Sequence, residues 1–397
     1  MYDLQEYEMY IERSITEKLK YLAGKFPVIY LMGPRQSGKS TLLKTVFPDY
    51  NYVSLEETDL RTFANTDPRG FLNVSGKKLI IDEAQYAPDL FSYIQTAVDA
   101  ADEPGLYLLS GSQNFLMMES ISQSLAGRVG ILSLLPFSAP EMEKANLLSE
   151  STYMWLQRGQ YPRSVVKEIA PRDFYPAYLK TYVERDVRKE IGVRNVDGFT
   201  AFLKACAMNT GTPVNLSSIG KVSGIDSRTV SAWLNVLEES YIIFRLRPYK
   251  NKVLERYLKA PKIYFYDTGL LCHLLSIKSP EELTAHSMRG LIFENGVIAD
   301  YFKRRFNEGI DPTDNTYFWR DSDNREKEVD LIVENANSLD LYEIKSSQTG
   351  KDKFAANMFS FEKKIPNMDC SKTVIYDGAY ELSINSARFI NWRTFAR

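Results

Sequence analysis

Histidine and cysteine are scarce in this chain: two and three residues among 397. Cys206, Cys272 and Cys370 lie far apart, which excludes a disulfide framework and a cysteine-cluster zinc site and suits a reducing compartment. His273 and His286 alone make no His-rich metal site and leave little room for Ser-His-Asp chemistry. No run approaches the ~18 apolar residues that a bilayer span needs, so no transmembrane helix is expected. The first eight residues are acidic and lack the basic-then-apolar order of a signal peptide. A cytoplasmic protein away from membranes is the expectation. Net charge is also small, with 49 basic against 51 acidic residues. Hydrophobic residues make up 44% and charged residues 25%, a globular profile that excludes long disorder and collagen-like repeats. At roughly 100–200 residues per domain, two to four domains are expected.

The first clear pattern is a short apolar run, Pro27–Met32, which enters Gly33-Pro34-Arg35-Gln36-Ser37-Gly38-Lys39-Ser40 and then the helical Thr41–Val46. This is G-x-x-x-x-G-K-[ST] in strand–loop–helix context, the context of a phosphate-binding loop. Its glycines let backbone N–H groups curl around phosphate oxygens, and the helix N-terminus adds a favourable dipole. Residues 33–41 are the candidate nucleotide contacts. Lys39 is expected to reach the β- and γ-phosphates, and Ser40 to bind Mg²⁺.

A second apolar strand, 77–83, ends in Asp82-Glu83, with Asp82 placed 43 residues after Lys39. Asp82 is expected to hold Mg²⁺ and Glu83 to take a proton from the attacking water. The next strand, 106–109, ends in Ser110-Gly-Ser112-Gln113, where Ser112 is a candidate for sensing the γ-phosphate. Arg128 precedes a further strand, 129–135, and is a candidate arginine finger acting in trans within an oligomer.

The ordered set GPRQSGKSTLL, LIIDEAQ, LLSGSQNFLM, SLAGRV, LPFSAPEM, RGQYPRSV, YVERDV and EVDLIVE…LYEIK resembles the AAA-type P-loop ATPases of a prokaryotic clade with a C-terminal domain of unknown function. The resemblance covers nearly the whole chain and implies an α/β P-loop core, ATP and Mg²⁺. One departure stands out: the clade usually has two glycines before the aromatic–Pro pair, and here Gln160 replaces the second.

Charge is unevenly distributed. Residues 1–150 hold 13 basic and 20 acidic residues, residues 151–270 hold 19 and 11, and residues 271–397 hold 17 and 20. Any nucleic-acid surface is therefore expected in the basic middle. Its first part is aromatic and helical, a lid from which Arg163 or Arg185 could contact phosphate. Residues 200–249 then read helix, helix, turn, helix, strands, the pattern of a winged helix. Arg228 would enter a DNA groove, with Arg245, Arg247, Lys250 and Lys252 on phosphates. A protein-contact or purely structural winged helix is the alternative.

The C-terminal part carries Glu294 on a helix, Asp330 in the strand 328–334, and Glu343 and Lys345 in the strand 339–345. If Glu334 pairs with Leu339, Asp330 lies opposite Glu343 and Lys345 shares their face. Two carboxylates and a lysine would converge, with Glu294 nearby, as in the PD-(D/E)xK nuclease fold that this segment resembles. Such an array can bind Mg²⁺ and polarise a phosphate, or persist as a binding platform.

The expected fold is α/β throughout: a P-loop NTPase (AAA-type) parallel sheet over 1–140, a helical lid over 141–200, a winged helix over 201–270 and an α/β restriction-endonuclease-like domain over 271–397. The expected function is Mg-dependent ATP hydrolysis driving conformational change, coupled to DNA or to the nuclease-like module. An ATP-gated Mg-dependent nuclease and a nucleotide-controlled protein-interaction switch are the alternatives. Expected partners are ATP, DNA and further copies of the chain.

Overall fold

The structure, a computed structural model, describes residues 10–111, 121, 124–181, 196–249, 259–324 and 326–397. It divides into two compact units.

The first unit comprises residues up to Leu148 together with Tyr161–Ile169 and Asn307–Gly309. Its centre is a five-stranded sheet of β1 (Val28–Met32), β2 (Asn51–Ser54), β3 (Leu79–Asp82), β4 (Tyr107–Gly111) and β5 (Val129–Ser133), in the order β2-β3-β4-β1-β5. Every pairing is parallel. A parallel sheet is covered on both faces, so its strands read as unbroken apolar runs rather than alternating ones. All five residues of β1 are buried, as are all four of β3. Ile15 and Leu19 of the N-terminal segment, Leu42 and Leu43 of the Lys39–Val46 helix, and Ile29, Ile80 and Leu132 of the sheet share one core. Beyond β5, the Ala139–Lys144 helix starts with a capping box formed by Ser138 and Glu141.

The second unit comprises Ser149–Gln160, Ala170–Phe306 and Ile310–Arg397. Its sheet has eight strands, β6 (Ile243–Pro248), β7 (Lys262–Phe265), β8 (Thr316–Arg320), β9 (Glu328–Glu334), β10 (Ser338–Lys345), β11 (Asp369–Tyr376), β12 (Leu382–Ile384) and β13 (Ala387–Asn391), in the order β12-β13-β11-β10-β9-β8-β6-β7. The sheet is mixed: β6 runs parallel to β8, while β9 is antiparallel to both β8 and β10. Val329, Leu339, Leu341, Met358, Val374 and Phe389 lie in one core on this sheet.

Two expected boundaries fall inside these units. The lid over 141–200 is divided between them, because 161–169 belongs to the first unit and 149–160 to the second. The Thr152–Arg158 helix is fixed in the second unit by a 4.2 Å ring stack of Trp155 on Trp392 and by Thr152 Oγ1 donating to Asp377 at 2.6 Å. The boundary between 270 and 271 likewise runs through one sheet, since β6 hydrogen-bonds to β8. The helix–turn–helix expected before it is present as Leu216–Ser223 and Ser227–Glu239, joined through left-handed Gly224 and capped by Asp226. Trp233 packs edge-on against Phe199 and Phe202. The strands that follow form the edge of the eight-stranded sheet instead of a free-standing wing.

Gln160 is not a relaxed replacement for glycine. Its backbone N–H donates to Asp267 at 2.7 Å, its side-chain amide donates to Thr268 at 3.0 Å, and it accepts from buried Lys303 at 3.1 Å. The glycine beside it is the constrained one: a Cβ on Gly159 would lie 1.8 Å from the Tyr175 hydroxyl.

Candidate functional site

The loop after β1 is shaped by close approach. A Cβ on Gly33 would lie 2.1 Å from the carbonyl oxygen of Leu134, so only glycine fits there. Gln36 and Gly38 both take left-handed backbone angles, φ 64° and 92°, and Gly38 opens the Lys39–Val46 helix. The unpaired amides of that helix terminus therefore face the space enclosed by the loop. Buried Lys39 folds over the loop, its Nζ donating to the carbonyls of Gly33 at 2.9 Å and Pro34 at 3.0 Å. Burial draws its ammonium below the ordinary lysine range, against the pull of Glu83 and Asp82. Arg35 donates to the Tyr86 hydroxyl at 3.3 Å, at the outer edge of the loop.

Asp82, at the end of β3, collects hydroxyls from three other elements. Oδ2 accepts from Ser40 at 2.6 Å and from Tyr52 at 2.8 Å, and Oδ1 accepts from Ser110. Burial would raise this carboxyl, but the three hydroxyls and Lys39 hold it below the usual carboxylate range. Tyr52 and Ser110 were not readable as partners of Asp82; only the strand topology brings them together. Glu83 follows with a left-handed backbone, φ 54°, and accepts from the Gln85 amide. Its half-buried carboxyl is pushed up by desolvation and then by Asp82, opposed by Lys39 and Gln85. Ser40 and Asp82 form a hard-oxygen donor pair of the kind Mg²⁺ takes.

A cavity of about 460 Å³ opens beside the loop. Gln36, Ser37, Gly38 and Thr41 line one side, Ile11, Phe137, Pro162 and Val166 another, and Arg163 and Lys167 add two cations. Arg163 is thus on the cavity wall within the first unit. Arg128, the expected arginine finger, has a partner in its own chain. It forms a two-pronged ion pair with Asp99, at 2.5 Å through Nε and 2.9 Å through Nη2, so its guanidinium is engaged within its own chain. Ser112, Gln113, Arg185, Lys250 and Lys252 lie outside the described residues.

The second unit holds another polar cluster. Glu334 pairs with Leu339, and the ladder continues to Leu331 and Tyr342, so Asp330 and Glu343 are the next positions along it. Lys345 bridges the two carboxylates, 2.6 Å from Glu343 Oε1 and 3.4 Å from Asp330 Oδ2. The backbone N–H of Ile344 also donates to Asp330 at 2.8 Å. Glu294, from the Arg289–Asn307 helix, accepts from Tyr264 at 2.6 Å and lies 3.3 Å from the ammonium of Lys262. Lys262 is fully buried and also pairs with Glu328. Lys262, Tyr264 and Glu328 were missed in the sequence, where a lysine in an apolar strand carries no signal of its partners.

Two ammonium groups therefore sit among four carboxylates. Among the described residues, no three His, Cys, Asp or Glu side chains are grouped to hold one metal ion. The open acceptor is Glu343 Oε2, which is buried and without a hydrogen-bond partner. Burial, and then the neighbouring charge of Asp330, raise the Glu343 carboxyl well above its ordinary range.

The candidate nucleic-acid residues are dispersed. Arg228 is exposed on the first turn of the Ser227–Glu239 helix. Arg245 is engaged within its own chain, its Nε donating to Glu238 at 2.7 Å and its Nη2 to Asn235 at 2.9 Å. Arg247 stands on β6 where it pairs with Tyr317 of β8.

A parallel sheet, a glycine loop leading into a helix, and an acid at the end of a strand separated from β1 by β4 define the first unit. It has the P-loop NTPase fold. Residues 25–143 match the family described as an AAA domain. Residues 149–281 and 289–395 match two domains of unknown function, DUF8612 and DUF4143. The chain is similar to the uncharacterized protein Rv2008c of Mycobacterium tuberculosis, 29% identical over 352 residues that span 86% of this chain and 75% of that protein. A shorter similarity, 22% over 157 residues, covers 38% of this chain and 57% of the hemin import ATP-binding protein HmuV of Hahella chejuensis. Among solved structures, the Walker-type ATPase PABY2304 of Pyrococcus abyssi aligns over 67% of this chain and 96% of its own, with a TM-score of 0.43 and 17% identity. Among the described residues, no helix is long and apolar enough to cross a membrane.

Two outcomes are expected from this geometry. Gly33→Ala forces a carbon onto the Leu134 carbonyl and distorts the loop, so nucleotide affinity measured by fluorescence titration should fall at least about tenfold, as removal of well-placed phosphate donors does. The second concerns the buried cluster. Glu294 has its carboxyl pushed up to about 7 by burial, with Lys262 and Tyr264 opposing and Asp330 and Glu328 adding to the rise. A carboxyl raised on folding stabilises the fold below its unfolded value and loses that contribution as pH rises through the folded value. The wild-type Tm should therefore fall from pH 5 to pH 8 relative to Glu294→Gln; parallel curves would show that Glu294 does not carry the proton.

Proposed function

We propose that the chain binds ATP with Mg²⁺ and hydrolyses it, and that hydrolysis drives a conformational change acting on DNA through the second unit. The carrying observation is the 2.6 Å contact between Ser40 and Asp82 beside the Lys39 loop. It joins the hydroxyl that a P-loop offers to Mg²⁺ with the strand acid that would help hold the ion. Mg²⁺, held by Ser40 and Asp82, would supply charge neutralisation at the phosphates. Lys39 would leave the Gly33 and Pro34 carbonyls for phosphate oxygens, and the loop amides would orient them. Glu83, next to Asp82 and held by Gln85, would accept the proton of the attacking water. ATP as the nucleotide is supported by the AAA domain match and by the ATP-binding HmuV relative.

Arg163 would add positive charge from the cavity wall. DNA contact would rest on Arg228 in a groove, with Arg247, Lys250 and Lys252 on phosphates. Arg245 is engaged by Glu238 and Asn235 and would have to exchange those partners to contact phosphate.

A second activity is favoured by the unpartnered, buried oxygen of Glu343. Asp330 and Glu343 would hold a divalent cation, and Lys345 would orient water toward a phosphodiester.

Lys39→Ala should abolish ATP binding, and wild-type turnover in this variant would refute the site. Glu83→Gln should still bind ATP while its steady-state hydrolysis drops by about a hundredfold or more, the usual contribution of a general base. For the second activity, supercoiled and linear DNA incubated with Mg²⁺ or Mn²⁺ should be cleaved by the wild type and not by Glu343→Ala. Equal product from both, or none from either, would end that reading.

A further inference from the structure

The P-loop is held from behind by a residue that belongs to none of its motifs. Arg13 and Glu141 form a buried ion pair, 4% and 1% exposed, with Arg13 Nε donating to Glu141 Oε1 at 3.0 Å. Removing one partner of such a pair leaves an unpaired buried charge, so loss of either lowers stability. The remaining donors of the guanidinium do something more specific. Nη1 donates to the carbonyl of Ser37 at 2.8 Å, and Nη2 donates to the carbonyl of Leu135 at 2.7 Å.

Ser37 is fully buried, so its carbonyl has no water to turn to. In a trans peptide the carbonyl of one residue and the N–H of the next point in opposite directions. Fixing the Ser37 carbonyl onto Arg13 therefore aims the Gly38 N–H away from Arg13, into the loop. Gly38 itself tolerates the flanking geometry: its φ is 92°, and a Cβ there would approach the Arg13 Nη1 atom at 3.8 Å.

Glu141 is fixed in turn. Oε1 also accepts from the backbone of Ser14 at 2.8 Å, and Oε2 accepts from the backbone of Ser138 at 2.8 Å. Burial alone would raise its carboxyl, but Arg13 and these backbone donors keep it below the usual range. The guanidinium lies 4.9 Å over the Phe137 ring, and Arg13, Ser37, Gly38 and Phe137 all border the 460 Å³ cavity.

We propose that Arg13 is a positioning residue for the nucleotide phosphates, setting the direction of the Gly38 amide through the Ser37 carbonyl. It rests on the reading of the loop as an ATP site. A loop amide bound to phosphate stabilises ground and transition states alike, so its loss raises KM more than it lowers kcat. Lysine at 13 can reach one acceptor but not three, and methionine can reach none.

The test uses the full chain with mant-ATP and Mg²⁺, and reads Kd, KM, kcat and Tm for wild type, Arg13→Met, Arg13→Lys and Glu141→Gln. The expected result is a Kd and KM raised at least about tenfold in Arg13→Met, with kcat within about threefold, as for lost uniform binding. Arg13→Lys should regain part of that affinity; it also serves as the probe if the methionine variant does not fold. Glu141→Gln keeps an acceptor for Arg13, so it should lower Tm while Kd stays within about threefold. Arg13 variants that bind as wild type does, or a Glu141→Gln loss of affinity matching theirs at equal Tm, would overturn the proposal. A wild type that fails to bind mant-ATP would instead refute the nucleotide site itself, and Arg13 positioning with it.

Discussion

Burying a carboxylate is costly unless partners compensate its charge, and Asp82 is where this constraint acts in the first unit. Its acceptors are filled by Ser40 from the helix after the loop, Tyr52 from β2 and Ser110 from β4. One charge thus ties together two neighbouring strands of its own sheet and the helix that carries the loop. Hydrogen bonds to a charged group contribute about 1.5–3 kcal/mol each, so the cluster is stable as it stands. Ser40 and Asp82 are brought into register by the fold before any ligand arrives.

The second unit meets the same constraint with opposite means. Its four carboxylates, Glu294, Glu328, Asp330 and Glu343, are balanced by Lys262 and Lys345 instead of hydroxyls. Both lysines are held above their ordinary range: burial would lower them, and the surrounding carboxylates outweigh it. Four negative groups against two positive ones leave an excess that protons or a divalent cation can neutralise. Glu294 and Glu343, the two carboxyls with raised values, are where a proton is most easily kept.

Much of this was legible where the signal is local. The loop glycines, Lys39, Ser40 and the Asp82-Glu83 strand end declare themselves by spacing, because strand, loop and helix are consecutive. The Glu334–Leu339 pairing was equally readable, since a short turn sets the register. What stayed hidden is non-local. Arg13 and Glu141 are separated by 128 positions, and no pattern in either segment announces the other. Arg128 and Arg245 looked available because their partners, Asp99 and Glu238, come close only through tertiary packing or one turn of chain reversal. The parallel pairing of β6 with β8, which joins residues near 247 to residues near 317 across the expected boundary at 270, was beyond the reach of composition.

That pairing also has a consequence for synthesis, in which β6 precedes β8. When β6 and β7 leave the ribosome, β8 is still some fifty residues from being synthesised. Until it arrives, β6 presents the backbone of an unfilled sheet edge, and such edges recruit strands from other chains. Charged side chains blunt such edges, and β6 carries two, Arg245 and Arg247. Arg245 is already engaged by Glu238, a residue made before it, so part of this edge can be dressed with charge before its proper neighbour exists.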